Sequence, residues 1–251
     1  RAGPAFGDAY SYTIDMGGAG GYFGGGRVLI ELTNKAEIVG SFTSNGISGL
    51  SDRGGGGSGG GILINAPTLT LSGTMTAKGA NGDNSLGGGG GGGRIKLFYE
   101  TGIDTIVLSR LDVSGGLKGG YLNTCDGAPG TIWLDAIPMP PVLSAPLNNT
   151  VTSATPSFGF TVTDTSLTTD NRNDDLSCVV ELSNNEFVDV FATYDQTLDL
   201  TGWSNLSYKT GDSVSFTPPQ GLPSGTYQWC ARAKDKSIAG RNSEQRAFVI
   251  P

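Results

Sequence analysis

Apolar and polar residues alternate along most of the chain, and this pattern predicts short β-strands in both halves. Examples are Leu69-Thr70-Leu71, Ile95-Lys96-Leu97 and Tyr227-Gln228-Trp229. A period of two residues places successive side chains on opposite faces of a strand. No segment has a convincing period of 3.6 residues, so the pattern predicts an all-β fold.

One signature recurs four times in the first half: a run of glycines followed by a short apolar strand. The last glycines of these runs are Gly26, Gly61, Gly93 and Gly130, and a second predicted strand follows each of the first three. A unit of roughly 30 to 40 residues cannot bury its apolar face alone, so stacked neighbours must cover it. The repeat therefore predicts a short glycine-rich parallel β-solenoid over residues 1–137.

The composition changes sharply after that region. Residues 1–137 hold 36 of the 42 glycines, and Pro138-Met139-Pro140-Pro141 follows at once. We therefore predict a proline-rich linker over residues 138–145 and a second domain over residues 146–251. Its size, about 100 residues, is that of an immunoglobulin-like sandwich. Its predicted strands are 157–163, 178–183, 187–192, 213–217, 226–233 and 246–250.

Both halves resemble known families. The stretches 90–99, 113–116 and 127–134 are similar to the glycine-rich β-helical repeats of large secreted or cell-surface proteins. That resemblance implies a parallel β-solenoid and supplies no catalytic residue. Three segments of the second half resemble fibronectin type III-like and related Ig-like modules: 146–149, 180–187 and Gly225-Thr226-Tyr227-Gln228-Trp229. In those modules Tyr227 is expected to form the tyrosine corner.

Charge and composition exclude several classes of function. The chain has no histidine, which removes Ser-His-Asp triads, Cys-His dyads and His-ligated zinc. A net charge of -7 and a pI near 4.5 argue against nucleic acid or an anionic membrane surface as a partner. No apolar run approaches the ~20 residues of a membrane span. Because the chain starts at Arg1 without a visible signal peptide, we expect a processed form or a fragment.

The three cysteines leave two alternatives open. A secreted protein favours a disulfide between Cys178 and Cys230, on neighbouring strands of one sheet. Strand alternation opposes it, since Trp229 is expected to point inward and Cys230 outward, whereas Cys178 is expected to point inward. A bridge needs both side chains on one face. Cys125 remains as a buried free thiol or an intermolecular link.

Other motifs carry weaker predictions. Asp170, Asp174 and Asp175 lie in an oxygen-rich loop that suits Ca²⁺, but their spacing does not fit an EF-hand, and a solvated loop is favoured. The glycine runs lack the Lys-Ser/Thr pair of a phosphate loop and are interpreted as tight turns. Asn148 and Asn205 each begin an N-glycosylation sequon.

These features predict a secreted, non-enzymatic protein without a cofactor. We expect a structural or adhesive role in a cell-surface filament or sheet-like assembly of copies of the chain. The reason is that a short stack presents unpaired strands at both ends. A monomer would result if residues 1–23 formed an irregular cap. The alternative function is a carbohydrate-binding or polysaccharide-degrading β-helix whose sandwich binds surface glycans.

Overall fold

A computed structural model describes residues 22–48, 54–83, 86–101, 108–120, 124–164, 175–235 and 238–251. The chain divides into two compact units, Arg1–Asp135 and Ala136–Pro251. In the described ranges the regular structure is strand, with one 3-10 turn at Leu108–Arg110 and no α-helix. The predicted all-β class is confirmed.

The main sheet of unit 1 is parallel and contains the strands that follow the glycine runs. Its order is β1 (Arg27–Glu31), β4 (Gly61–Leu71), β6 (Arg94–Thr101) and β8 (Thr131–Ala136), and β2 (Lys35–Ile38) pairs with the far end of β4. Arg27 lies opposite Gly61, and Gly61 lies opposite Arg94. The equivalent glycines before the strands are therefore Gly26, Gly60 and Gly93, with Gly60 in place of the predicted Gly61.

A second, smaller sheet of unit 1 is also parallel. It contains β3 (Ser41–Thr43), β5 (Thr74–Thr76) and β7 (Leu111–Asp112). Ser41 lies opposite Thr74, and their hydroxyl oxygens are 3.0 Å apart. Each of the first three repeats thus contributes to both sheets, and the fourth contributes β8 to the main sheet. We number the repeats 1 to 4 for the described residues within 22–48, 54–83, 86–120 and 124–136.

Unit 2 consists of two sheets that share one apolar core. The smaller sheet is antiparallel, with β14 (Ser213–Phe216), β11 (Phe158–Thr163) and β9 (Met139–Ala145) in that order. Phe158 and Trp229 are fully buried in the core, with ring centroids 4.9 Å apart. The larger sheet contains β10 (Thr150–Val151), β17 (Arg246–Ile250), β15 (Gly225–Asp235), β12 (Leu176–Ser183) and β13 (Ala192–Asp195), with β16 (Ile238–Ala239) on β15.

The predicted role of Tyr227 is confirmed. Its ring is buried and its hydroxyl donates a 3.0 Å hydrogen bond to the carbonyl oxygen of Pro223. A hydrogen bond to the backbone a few residues upstream is the defining contact of a tyrosine corner. It ties the start of β15 to the loop that precedes it.

Two predicted segments differ in the structure. Residues 138–145 contain β9, which pairs with β11, so this stretch belongs to the sandwich and is not a linker. Pro140 and Pro141 are tolerated because β9 is an edge strand, where a missing N–H need not break a ladder. The other segment, 187–192, is largely a turn, and the strand begins only at Ala192. Ser183 Oγ accepts a 2.8 Å hydrogen bond from the N–H of Phe187, which stabilises this turn.

Candidate functional site

The glycine runs of unit 1 are extended segments that hydrogen-bond to one another. The N–H of Gly56 donates to the carbonyl of Gly88, and the N–H of Gly59 donates to that of Gly91, three residues later. The N–H groups of Gly89 and Gly92 donate hydrogen bonds in the same way to carbonyls of repeat 4. A three-residue period is that of a polyproline II helix, which has no internal hydrogen bonds. The runs are therefore not the tight turns predicted from the sequence.

A second set of extended segments, 44–48, 77–83 and 113–119, follows the small sheet and fills the space beside these runs. The N–H groups of Gly90 and Gly93 donate to the carbonyls of Ala80 and Ala77, and the N–H of Gly116 donates to the carbonyl of Gly90. Gly90 thus hydrogen-bonds to two neighbouring segments. Main-chain hydrogen bonds therefore link the runs both within a repeat and between repeats.

Close contact between repeats explains why these positions are glycine. A Cβ atom added at Gly60, Gly93 or Gly130 would lie 2.0, 1.9 or 1.8 Å from a carbonyl oxygen of the preceding repeat. Real Cβ atoms essentially never approach a heavy atom within 3.0 Å. The same holds at Gly57, Gly90 and Gly127, whose added Cβ would meet the carbonyls of Phe23, Gly57 and Gly90. No side chain fits between stacked repeats at these positions.

At two equivalent positions of the glycine runs a larger residue replaces glycine, and each of these positions faces away from the described stack. Phe23 is the repeat 1 equivalent of Gly57, and its side chain is 73% exposed. At the other end, Pro129 is the equivalent of Gly92, where an added Cβ would lie 2.5 Å from the N atom of Gly130. A further repeat placed with the same geometry would clash with Phe23 on one side and with Pro129 on the other.

The apolar strand residues show the same difference between inner and outer repeats. In the inner repeats Ile62, Ile64, Ile95 and Leu97 have no exposed surface. The corresponding side chains in the outer strands are only half-buried: Val28 and Ile30 in β1, and Ile132 and Leu134 in β8. The outer faces of β1 and β8 therefore present apolar surface that the described residues do not cover completely.

The residues proposed as calcium ligands are not brought together by the described part of the chain. Asp170 and Asp174 lie outside it. Asp175 is exposed, and its carboxylate accepts a 2.5 Å hydrogen bond from the ammonium of Lys209. Among the described residues there is no cluster of acidic, cysteine or histidine side chains suited to a metal. An ion pair with lysine competes directly with a cation for this carboxylate.

Of the two alternatives for Cys178 and Cys230, the structure has the one without a disulfide, in which both are free thiols. Cys178 lies opposite Ala233, and Cys230 lies opposite Glu181, so the two cysteines are offset along the paired strands. Cys178 faces the core with Val180, whereas Cys230 is buried on the other face of the sheet. Burial raises the pKa of Cys178 to about 12 and that of Cys230 to about 11. Cys125 is exposed.

Both sequon asparagines are exposed, but their surroundings differ. The side-chain oxygen of Asn148 accepts a 2.8 Å hydrogen bond from the N–H of Ala247, which attaches the loop before β10 to β17. Asn205 engages its neighbours through its backbone, since its carbonyl accepts a 2.9 Å hydrogen bond from the Gln196 side chain. The Asn205 side chain is the better placed of the two for modification, because the Asn148 side chain is already hydrogen-bonded to β17.

The sequence did not single out one further feature, a cleft of about 190 Å³ in unit 2. Tyr194, Trp203 and Phe216 line it, together with Asp195 and Asp199. These residues come from two strands and from the loop between them. A signal was available: Asp195, Asp199 and Trp203 fall within nine residues of a polar, turn-rich segment.

Comparisons with known proteins show only weak structural similarity. No protein-family model and no curated protein matches the chain. A fibronectin type III domain of the human KIAA0970 protein matches at 15% identity and TM-score 0.28, over 45% of this chain and 72% of that chain. The multi-modular cell-surface chitinase ChiW of Paenibacillus sp. str. FPU-7 matches at 14% identity and TM-score 0.31. That match covers 90% of this chain but only 20% of the chitinase. In the described ranges, no helix has the length and hydropathy to cross a membrane.

Proposed function

We propose that the protein is a structural segment of an extracellular surface assembly. In this proposal unit 1 is a parallel β-solenoid of limited length and unit 2 is a fibronectin type III-like module attached to it. One observation carries the proposal. Within the glycine runs, glycine occupies the positions where repeats come into close contact, whereas Phe23 and Pro129 occupy equivalent positions that face outward. Such a distribution suits a stack with a defined number of repeats.

The hydrogen bonding of unit 1 supports a mechanical role. The N–H of Gly90 donates a hydrogen bond to the carbonyl of Ala80 in repeat 2, and the carbonyl of Gly90 accepts one from the N–H of Gly116. Two neighbouring segments therefore hold the segment that contains Gly90 in place. Bending such a segment breaks main-chain hydrogen bonds that water cannot readily replace between closely packed repeats. The unit is therefore suited to act as a rigid spacer, and its function requires no reacting side chain.

Association with copies of itself is part of the proposal, through the half-exposed apolar faces of β1 and β8. Continuation of the glycine runs from one copy to the next is blocked by Phe23 and Pro129. We expect light scattering on the 251-residue chain to show association at high micromolar concentration. Ile132→Lys, on β8, is expected to weaken it, and Val188→Lys, at a 79% exposed site of unit 2, serves as the matched control. A stable monomer with a protease-resistant unit 1 would contradict self-association and leave the spacer role in place.

We also propose that the protein is not an enzyme and needs no cofactor. The proposal follows from the missing histidine and from the use of backbone groups, not side chains, for the contacts of the glycine runs in unit 1. Incubation with soluble polysaccharides and analysis of reducing ends is expected to show no turnover. Reproducible hydrolysis that a single Asp or Glu substitution abolishes would favour a polysaccharide-degrading enzyme instead.

A further inference from the structure

The cleft in unit 2 has an aromatic floor whose position is fixed by the core. Phe216 is fully buried, and its ring centroid lies 4.8 Å from that of Tyr194 and 4.4 Å from that of Trp203. Tyr194 and Trp203 are only partly buried, so each ring packs on the core and keeps part of its surface in the cleft. Leu198 stands at the rim and is 86% exposed.

The turn that carries Trp203 is held rigidly against β14. Gly202 adopts a φ of +87°, and a Cβ there would lie 2.0 Å from the carbonyl oxygen of Thr217. The N–H of Thr217 donates a 2.9 Å hydrogen bond to the carbonyl of Gly202, and the N–H of Ser204 donates one of the same length to that of Ser215. These contacts on either side of Trp203 fix its ring before any ligand arrives, which lowers the entropic cost of binding.

Of the two carboxylates at the cleft, Asp199 is the available hydrogen-bond acceptor, because Asp195 already accepts from Thr197 and Lys234. Burial opposes ionisation of Asp195, but hydrogen bonds from Lys234 and Thr197 outweigh it and hold its pKa below the usual value. At exposed Asp199, the backbone and side-chain hydrogen bonds from Thr201 hold the pKa below the usual value. Lys234 is committed to Asp195 at 2.7 Å. No basic side chain is among the residues that line the cleft, so a carboxylate or phosphate ligand would meet the negative charge of Asp199.

We propose that this cleft binds one neutral hexose unit of a polysaccharide. The C–H face of a pyranose ring carries partial positive charge and suits the negative faces of Trp203 and Tyr194. A hydroxyl group at the rim donates to the Asp199 carboxylate, whose Oδ1 already accepts a hydrogen bond from the N–H of Thr201. A volume of about 190 Å³ is below the ~300–1,000 Å³ typical of pockets for drug-sized ligands, which suits a single ring. The inference concerns unit 2 alone and is independent of the proposed role of unit 1.

Tryptophan fluorescence of the full chain is the direct test. Cello-, chito- and manno-oligosaccharides serve as neutral ligands, with oligogalacturonate as the anionic control and choline as the cationic control. We expect at least one neutral series to change the fluorescence with a Kd of about 1 mM. Asp199→Asn, which can keep the hydrogen bond to Thr201, is expected to weaken binding about tenfold, as expected for loss of a charged acceptor. Trp203→Phe is expected to remove the fluorescence change and to weaken binding in calorimetry about tenfold.

Val188→Ala, an exposed apolar site outside the cleft, is the control and is expected to bind like the parent chain. Far-UV circular dichroism and the melting temperature of each variant show whether it is folded. The proposal is overturned if no neutral series binds at about 20 mM, or if binding survives both cleft substitutions unchanged. Tighter binding of choline than of any sugar would also overturn it, in favour of a cation–π site.

Discussion

Replacing Gly93 by alanine is expected to separate repeats 2 and 3, whereas the same change at Gly26 is expected to leave unit 1 intact. The two glycines occupy equivalent positions before β6 and β1. A Cβ at residue 93 would lie 1.9 Å from the carbonyl oxygen of Gly60, but no atom lies within 4 Å of one at residue 26. Neither residue has a φ in the left-handed region, so alanine itself is compatible with both backbones.

The size of the effect follows from the contact that must open. Ordinary van der Waals contact begins at 3.4 Å, so the repeats must move apart by about 1.5 Å at this point. The bonds from Arg94 N to Gly60 O (2.9 Å) and from Gly93 N to Ala77 O (2.7 Å) lie at the contact. Leaving their buried groups unsatisfied costs about 1–3 kcal/mol each, or about 2–6 kcal/mol together. That is a large part of the ~5–15 kcal/mol that stabilises a typical domain. Gly26→Ala should change stability by about 1 kcal/mol or less.

Hydrogen exchange measured by mass spectrometry is the appropriate assay, because the two units need not unfold together. In Gly93→Ala the amides of β4 and β6 should exchange about 30-fold faster or more, while those of unit 2 keep their rates. In Gly26→Ala and in Gly40→Ala, a second position with no atom within 4 Å, exchange should match the parent chain. Equal behaviour of Gly93→Ala and Gly26→Ala would refute the reasoning from close contact between repeats.

Four further predictions test other parts of the structure. Far-UV circular dichroism should show helix in less than about a tenth of residues, and a helix content near a third would contradict the fold. Tyr227→Phe should lower the urea stability of unit 2 by about 1 kcal/mol through loss of the hydrogen bond to the backbone, and an unchanged midpoint would refute the tyrosine corner. In the native protein a maleimide should label Cys125 and spare Cys178 and Cys230, which are buried and have raised pKa values. All three cysteines should react after denaturation. Labelling of fewer than three in the denatured chain would reveal a disulfide. Because the folded pKa of Asp195 is lowered, its contribution to stability is present above the unfolded value near 3.8 and is lost as the pH falls through the folded pKa. Asp195→Asn should therefore flatten the acid limb of the stability curve of unit 2, and an unaltered limb would exclude this role.

The local pattern determined which segments become strands, because alternation and glycine punctuation act over a few residues. The strands after the glycine runs and the core position of Trp229 could be predicted in this way, whereas the contact of Tyr227 was implied by the resemblance to fibronectin type III-like modules. The segment 187–192 could not, because side chains such as Ser183 hydrogen-bond to the backbone and compete with strand formation. The edge position that permits prolines in β9 was also invisible, because it depends on the strand order in the sheet.

Only the tertiary structure showed which distant segments contact one another. By itself the sequence determined that glycine runs recur at intervals of roughly 30 to 40 residues, but only the register between repeats shows that an added Cβ at Gly93 would meet Gly60. The same register shows that Phe23 and Pro129 occupy positions equivalent to close-contact glycines but face away from the stack. The cleft depends on Tyr194, Trp203 and Phe216 meeting across separate strands and a turn. Local sequence specifies which faces are apolar, whereas contacts between distant segments depend on how those faces are brought together in the folded chain.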